Sequence, residues 1–169
     1  MSTKFFGRFL VALIVVAATP ALSFDVDKES GPPAPGRPPN EMMMQRGMPQ
    51  VRDEIWRKFW DCKLDYDQKD GIYSLEVTPE VKALDGKTIT VRGFVLPLDG
   101  SDRTKHFLLS RNTPVCMYCP PGQPNEVVEV KTPNAVAWTD KIVSVTGKFQ
   151  LVNDQERAVF FKMENAQAK

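Results

Sequence analysis

Histidine and cysteine are scarce in this chain of 169 residues, which has one His and three Cys. The GxSxG, HExxH and phosphate-binding glycine motifs are absent as well. The sequence therefore offers no nucleophile paired with a base, and an enzyme is not the favoured interpretation. The formal net charge is only +1, and Lys and Arg form no stripe interleaved with aromatic residues. Nucleic-acid binding is therefore not expected.

The N-terminus has the pattern of a secretory signal peptide over residues 1–23. Lys4 and Arg8 flank the start of an apolar stretch, and the small residues Ala21 and Ser23 precede a cleavage site. That stretch is shorter than the roughly 20 apolar residues of a membrane span. We expect an exported, periplasmic protein without an integral membrane span after cleavage, although an uncleaved anchor is the alternative. Cleavage would remove two cations and no acids, leaving a net charge of −1.

Residues 24–50 are expected to form a disordered arm ahead of a single domain, residues 51–169. The stretch GPPAPGRPPN is too rich in proline and glycine to build a core. Four methionines follow it in a short span: Met42, Met43, Met44 and Met48. Their thioethers are soft ligands that suit Cu(I). The alternative is a flexible, mildly apolar tether.

The domain is predicted to be mainly β with a short N-terminal amphipathic helix. Helical spacing of apolar residues places that helix over 52–62. A second small helix is expected in 78–87, where Thr78 can cap and Pro79 suits the first position. Alternating apolar residues predict five strands, at 87–98, 105–110, 125–131, 139–151 and 156–164.

An internal repeat sharpens this fold prediction. The stretch DGKTITVRGFVL resembles TDKIVSVTGKFQL, since in both an alternating run leads to one glycine, Gly93 or Gly147, and then to Phe. Mid-strand glycines favour bulged, coiled strands that let a small sheet close on itself. We therefore predict a five-stranded, partly open barrel of the OB type, with an open β-sandwich as the alternative. Residues 65–71 are expected to be a solvated acidic loop, and 132–140 a short helical or irregular bridge.

The most specialised stretch is PVCMYCPPGQPNEVVEV, where Cys116 and Cys119 form a CxxC pair. A closed zinc site needs four ligands, so His106 and Cys62 are candidates to complete it. Met117 between the cysteines also permits Cu(I). The predicted metal site is therefore Cys116 and Cys119, with His106 and Cys62 as further candidates and zinc or copper as the ion.

The cysteine pair also has non-metal interpretations. A thioredoxin-like site is disfavoured because Pro120 and Pro121 remove the helix N–H groups that would stabilise a thiolate. A Cys116–Cys119 disulfide would close a very short ring and add little stability. Haem attachment needs CxxCH, and residue 120 is Pro. A loop shaped by the two cysteines, with no further role, is the remaining alternative.

The order LDGKTITVRGFVLPLD, HFLLS, CMYCPPGQPNEVVEV and VSVTGKF resembles a family of exported bacterial proteins of unknown function, over about residues 53–164. The family box has the form Cys-x-His-x-Pro-Pro-Pro-x-Asn-Gln or a CxxC variant. Four residues match it: Cys116, Pro120, Pro121 and Asn125. Tyr118 stands where many members have His, Cys119 where they have an apolar residue, and Glu126 in place of Gln.

The resemblance implies a small, β-rich periplasmic protein. Some members are encoded beside ABC-type permease components and metal-responsive genes, which implies zinc handling or support of such a permease. Three functions therefore stand open. The first is a non-catalytic binding or accessory protein that uses the Cys116–Cys119 loop to hold a metal or to contact an ABC-type permease or another periplasmic protein. The others are a thiol–disulfide redox protein and a purely structural OB-like module.

Overall fold

The computed structural model describes Met44 and residues 47–115 and 121–169. The signal peptide 1–23, nearly all of the arm 24–50 and the Cys116–Cys119 pair lie outside these residues. The elements in chain order are α1 (Glu54–Trp60), β1 (Lys63–Asp67), β2 (Ile72–Glu76), α2 (Pro79–Lys82), β3 (Thr88–Pro97), β4 (Arg103–Ser110), a 3-10 helix (Pro124–Glu126), β5 (Val127–Ala137), β6 (Val143–Asp154) and β7 (Val159–Ala168).

Five strands form a closed barrel in the order β3-β4-β5-β7-β6, with β6 pairing back on β3. All neighbours are antiparallel except β5 and β7, which pair in parallel through Glu129↔Lys162 and Val130↔Met163. Two consecutive hairpins, a crossover and one parallel contact are the connectivity of an OB-type barrel. The mainly β, OB-like prediction is therefore confirmed, but the barrel is closed where a partly open one was predicted.

The two repeat glycines lie at special points of the barrel. Up to Gly93, β3 pairs with β6, and from Phe94 onward it pairs with β4. Near Gly147, the pairing of β6 with β7 shifts register. The bulge expected at each glycine is thus found beside Gly147, whereas Gly93 marks the point where β3 changes partner.

Helix α1 packs its aromatic face on the barrel. Trp56 and Phe59 are buried, and the Phe59 ring lies 5.4 Å from Phe149 and 4.3 Å from Phe161, both stacked. The Trp56 indole N–H donates to Arg92 O at 2.6 Å. Trp60 was expected on the same apolar face, but its side chain is 48% exposed. The helix therefore buries two of the aromatics that predicted it and leaves the third at the surface.

A hairpin occupies the place where an acidic loop was expected. Strands β1 and β2 pair from Lys63↔Glu76 to Asp67↔Ile72. Leu64 and Tyr66 are half-buried between exposed charges, and the Tyr66 and Tyr73 rings lie 4.7 Å apart. The acidic residues belong to the solvent face of a strand and to its turn, so only the turn of the predicted loop remains.

Residues 132–140 were predicted to form a short helical or irregular bridge. This prediction was wrong in part, because β5 continues through Ala137. The predicted cap of the second helix is confirmed, since Thr78 Oγ1 accepts from Val81 N–H at 3.4 Å.

Among the described residues, no helix combines the length and the apolar character needed to cross a membrane.

Candidate functional site: the base of the cysteine loop

The chain on both sides of the cysteine pair is held by a set of mostly buried polar residues. We call this set the loop base; its members are Ser110, Arg111, Asn112, Gly122, Gln123, Asn125 and Glu126. Ser110 ends β4, and Asn125 and Glu126 lie in the 3-10 helix that leads into β5. The barrel therefore fixes both ends of the segment that contains Cys116 and Cys119.

Ser110 ties the two ends of the loop together. It is fully buried, its hydroxyl donates to Pro121 O at 3.3 Å, and the same oxygen accepts from Asn112 N–H at 2.9 Å. Pro121 follows Cys119 by two residues, and Asn112 precedes Cys116 by four residues. One strand-end hydroxyl thus connects the entering and leaving chains.

Glu126 provides the second tie. Its Oε2 accepts from Gln123 N–H at 2.8 Å, which caps the 3-10 helix. Its Oε1 lies 3.5 Å from Arg111 Nη1, and its carbonyl accepts from Arg111 N–H at 3.1 Å. The Arg111 guanidinium also lies over the Trp60 ring, 4.9 Å from its centroid. Helix α1 thereby contacts the loop base.

Gly122 has no space for a side chain. A Cβ there would lie 2.6 Å from Asn112 Nδ2 and 2.7 Å from Glu126 Oε2. Both distances are far below ordinary contact. A side chain at this position would therefore displace the side chains of Asn112 and Glu126, which belong to the loop base.

Three buried polar atoms of the loop base have no hydrogen-bond partner among the described residues: Arg111 Nε, Asn112 Oδ1 and Asn125 Oδ1. An unpartnered buried polar group costs about 1–3 kcal/mol. Such atoms call for a partner, which a neighbouring segment, a ligand or an ordered water can supply. Among the described residues, the loop base thus has one donor, Arg111 Nε, and two acceptors, Asn112 Oδ1 and Asn125 Oδ1, that form no hydrogen bond.

The structure gives the two other candidate ligands partners outside the loop base. Cys62 is a free thiol, 3% exposed within the hydrophobic core, and donates to Lys58 O at 3.6 Å. His106 lies on β4, four residues before Ser110, so about 13 Å of strand separates them. Its Nε2 lies 2.6 Å from Glu129 Oε1. The described residues contain no group of three or more His, Cys, Asp or Glu arranged to hold a metal.

Glu129 forms the centre of an ion-pair cluster of its own. Its side chain is 3% exposed, with Lys162 Nζ 3.1 Å from Oε2 and Arg157 Nη1 3.4 Å from Oε1. Burial alone, the largest influence, would raise the pKa of this carboxyl. The hydrogen bond with His106 and the nearby charges of Lys162 and Arg157 together outweigh it and lower the pKa. The only histidine in the chain therefore has a role in the fold.

We expect Glu129→Gln to lower the free energy of unfolding by roughly 1–3 kcal/mol at pH 7, because it removes a charged hydrogen-bond acceptor. A carboxyl whose pKa is lower in the folded than in the unfolded protein stabilises the fold at pH values above its ordinary pKa of 4.5. That stabilisation is lost as the pH falls through the pKa of the folded state. The gap between wild type and variant should thus shrink below about pH 4.5. Urea unfolding across pH measures it, with exposed Glu156→Gln as control. A gap that stays constant with pH would contradict this assignment.

Comparison with known proteins adds the family. Residues 37–167 match the family model described as a protein of unknown function, DUF3299. The chain belongs to the DUF3299 family. A crystal structure of a DUF3299 family protein from Pseudomonas aeruginosa PAO1 is 27% identical, with a TM-score of 0.46, and the match covers 57% of this chain and 66% of that one. The chain thus spans just under two thirds of that protein's length. No curated protein matches it.

For this DUF3299 chain, sequence reasoning identified the cysteine segment but missed most of the loop base. Asn125 and Glu126 were noticed only as positions of the family box. One sequence feature could have pointed to three of the missed residues, namely their position on either side of a CxxC pair: Ser110, Asn112 and Gly122. Their burial and mutual hydrogen bonds depend on β4 and β5 being neighbours, which a local pattern does not reveal.

Proposed function

We propose that this protein is an exported, non-catalytic binding protein that holds a soft metal ion, zinc or copper, through Cys116 and Cys119. The observation that carries the proposal is the loop base, which anchors both ends of the cysteine segment to the barrel. Metal affinity depends on how well the ligands are held before the ion arrives. A scaffold of this kind is what a two-thiolate site requires.

The donor chemistry fits such an ion. Two thiolates three residues apart are the usual half of a zinc site and are also good ligands for Cu(I). Each thiol gives up its proton on binding, so metal affinity should rise with pH. The unpartnered Arg111 Nε, Asn112 Oδ1 and Asn125 Oδ1 are available to orient the ligating segment or groups bound beside it.

The non-catalytic part of the proposal rests on what surrounds the loop base. The described residues near it supply hydrogen bonds and one ion pair, Arg111 with Glu126, and no nucleophile next to a base. We further propose a periplasmic location, and delivery of the ion to a membrane partner such as an ABC-type permease. Arg111 and the exposed Trp60 beside it are the surface we assign to that contact.

The deciding experiment is bound metal per chain on protein purified without chelators. We expect near-stoichiometric zinc or copper in the wild type and loss of the metal in the Cys116→Ser/Cys119→Ser variant. The matched control is Cys62→Ala, which removes the third thiol from the core and should leave the metal content unchanged. Circular dichroism confirms that each variant is folded.

Two outcomes would contradict the proposal. The first is wild-type protein that stays metal-free after incubation with zinc and with Cu(I). The second is metal that is retained by the double variant and lost in folded Cys62→Ala. The first would direct attention to protein partners of the loop, and the second would move the site to Cys62.

A further inference from the structure

One edge of strand β2 has no strand beside it in the described part of the chain. The other edge pairs with β1, from Lys63↔Glu76 to Asp67↔Ile72, and these two strands form a sheet of their own. The backbone N–H and C=O groups along the free edge therefore lack a ladder partner. Such an edge can pair with the backbone of another chain.

The end of β6 also has a free edge. This strand pairs with β7 on one side and, on the other, with β3 as far as Lys148. Phe149 then bonds the chain just before β3, and Leu151 N–H donates to Asp85 Oδ1 at 2.9 Å. Beyond Leu151, no described strand pairs with this side of β6, which ends at Asp154.

A groove runs between these two free edges, and we call it the strand groove. None of the described residues that line it belongs to β1, so it lies on the unpaired side of β2. Most of its lining is apolar, and Phe160 is only 2% exposed. The principal lining residues are Ser74, Leu75, Val77, Leu151, Val152 and Phe160.

The outer edges of β1 and β2 differ in how they are protected. The exposed residues of β1 are all charged: Lys63, Asp65 and Asp67. Charged side chains on an edge discourage pairing with another chain. The exposed residues of β2 include a single charge: Ile72, Ser74 and Glu76. The edge beside the strand groove is therefore the less protected of the two.

We propose that the strand groove binds one extended peptide segment of a partner protein, which pairs with both β2 and the end of β6 and so joins the two sheets. A strand between two edges separates them by two interstrand spacings, roughly 10 Å. Successive side chains of a strand point to opposite sides. Every second residue of the peptide should therefore be apolar, where it lies against Leu75, Leu151 and Phe160.

The charges on both sides of the strand groove favour a basic peptide. Residues 63–76 contain four acids and two lysines, a net charge of −2, and residues 153–157 contain two acids and one arginine, a net charge of −1. Arg157 and Lys162 are both held by carboxylates, since each pairs with Glu129. We therefore expect lysine or arginine among the peptide residues that face away from the groove or flank it.

The test selects peptides from a random library displayed on phage, with the full chain as bait. Selected peptides are synthesised, and fluorescence anisotropy measures their affinity. We expect alternating apolar residues, a net positive charge, and at least tenfold weaker binding to Ser74→Lys/Val152→Lys, which adds two cations to the strand groove. Asp65 lies opposite Ser74 on β1, so the new charge at that position has a carboxylate across the hairpin.

The matched control is Gln68→Lys/Asn134→Lys, which adds the same charge at two exposed residues outside the strand groove. It should change peptide affinity less than twofold, and circular dichroism confirms that both variants are folded. Hydrogen exchange tests the backbone pairing directly. Peptide binding should slow amide exchange in both 72–77 and 151–155, because the peptide bonds both edges.

Four results would overturn the proposal. One is a selection that enriches no peptide, and another is peptides that bind the Ser74→Lys/Val152→Lys variant as tightly as wild type. Protection of only one of the two edges would mean that the peptide does not lie between them. Finally, edges already protected in the free chain would mean that the chain itself, or a second copy, fills the groove; sedimentation of wild type against the variant distinguishes these two.

Discussion

Replacing Phe59 with alanine should lower the free energy of unfolding by about 3–5 kcal/mol. The ring is fully buried and stacks on Phe149 of β6 and Phe161 of β7, so its loss leaves a cavity between α1 and two strands. The Trp56 indole meets the same ring edge to face, with centroids 5.6 Å apart. One side chain thus joins the helix to the closing strands, and urea unfolding followed by circular dichroism measures its contribution.

The neighbouring aromatic residue provides the control. Trp60 is in the same helix but is 48% exposed and contacts the Arg111 guanidinium. We expect Trp60→Ala to cost no more than about 1 kcal/mol, the value of an exposed cation–π contact. Equal losses for the two variants would mean that α1 does not dock through the Phe59 face.

The barrel was accessible from the sequence because its signals are local. Alternating apolar residues place every other side chain in the core, and the repeated glycine before Phe marks the strands that bend. Gly93 and Gly147 each stand where a strand changes partner or register. Apolar alternation and mid-strand glycines both act on the strand that contains them, so they can be recognised from the sequence of that strand alone.

The errors come from contacts between distant segments. In β1, Leu64 and Tyr66 alternate with charges, and the acidic residues that follow suggested a loop. The strand forms because Tyr66 packs on Tyr73 across the hairpin. Likewise, β5 extends to Ala137 because Val136 and Ala137 pair with Thr104 and Arg103. Neither partner is visible from the segment itself.

The candidate site shows the same division. The CxxC pair is visible in the sequence because its spacing is local. Ser110 has no motif, and its role follows from its place at the end of β4, beneath the chain that returns at Pro121. The residue types suggested the chemistry of the segment, whereas the contacts that hold its two ends required the fold.

The connection between barrel and loop base leads to the second large effect, which we expect at Gly93. A Cβ there would lie 2.6 Å from Ser110 O and 2.8 Å from Leu109 Cγ, so β4 must move away from β3. Overpacking of this kind costs about 1–3 kcal/mol or more. Because Ser110 also bonds Pro121 and Asn112, the displacement reaches the loop base. We therefore expect Gly93→Ala to lower stability and, by roughly tenfold, the affinity of the metal site that we propose at Cys116 and Cys119.

Gly147→Ala separates the two consequences. Its Cβ would lie 2.7 Å from Ala166 Cβ and 2.9 Å from Ala166 Cα, a comparable clash on the β6–β7 side of the barrel. It makes no such contact with Ser110, so it should lose similar stability and keep wild-type metal affinity. Unfolding in urea and chelator competition on folded protein measure the two quantities. If both variants lose metal affinity in proportion to stability, the loop responds to the barrel as a whole, and Ser110 is not the specific connection. If only Gly93→Ala loses metal affinity, the Ser110 hydroxyl at the end of β4 transmits the change.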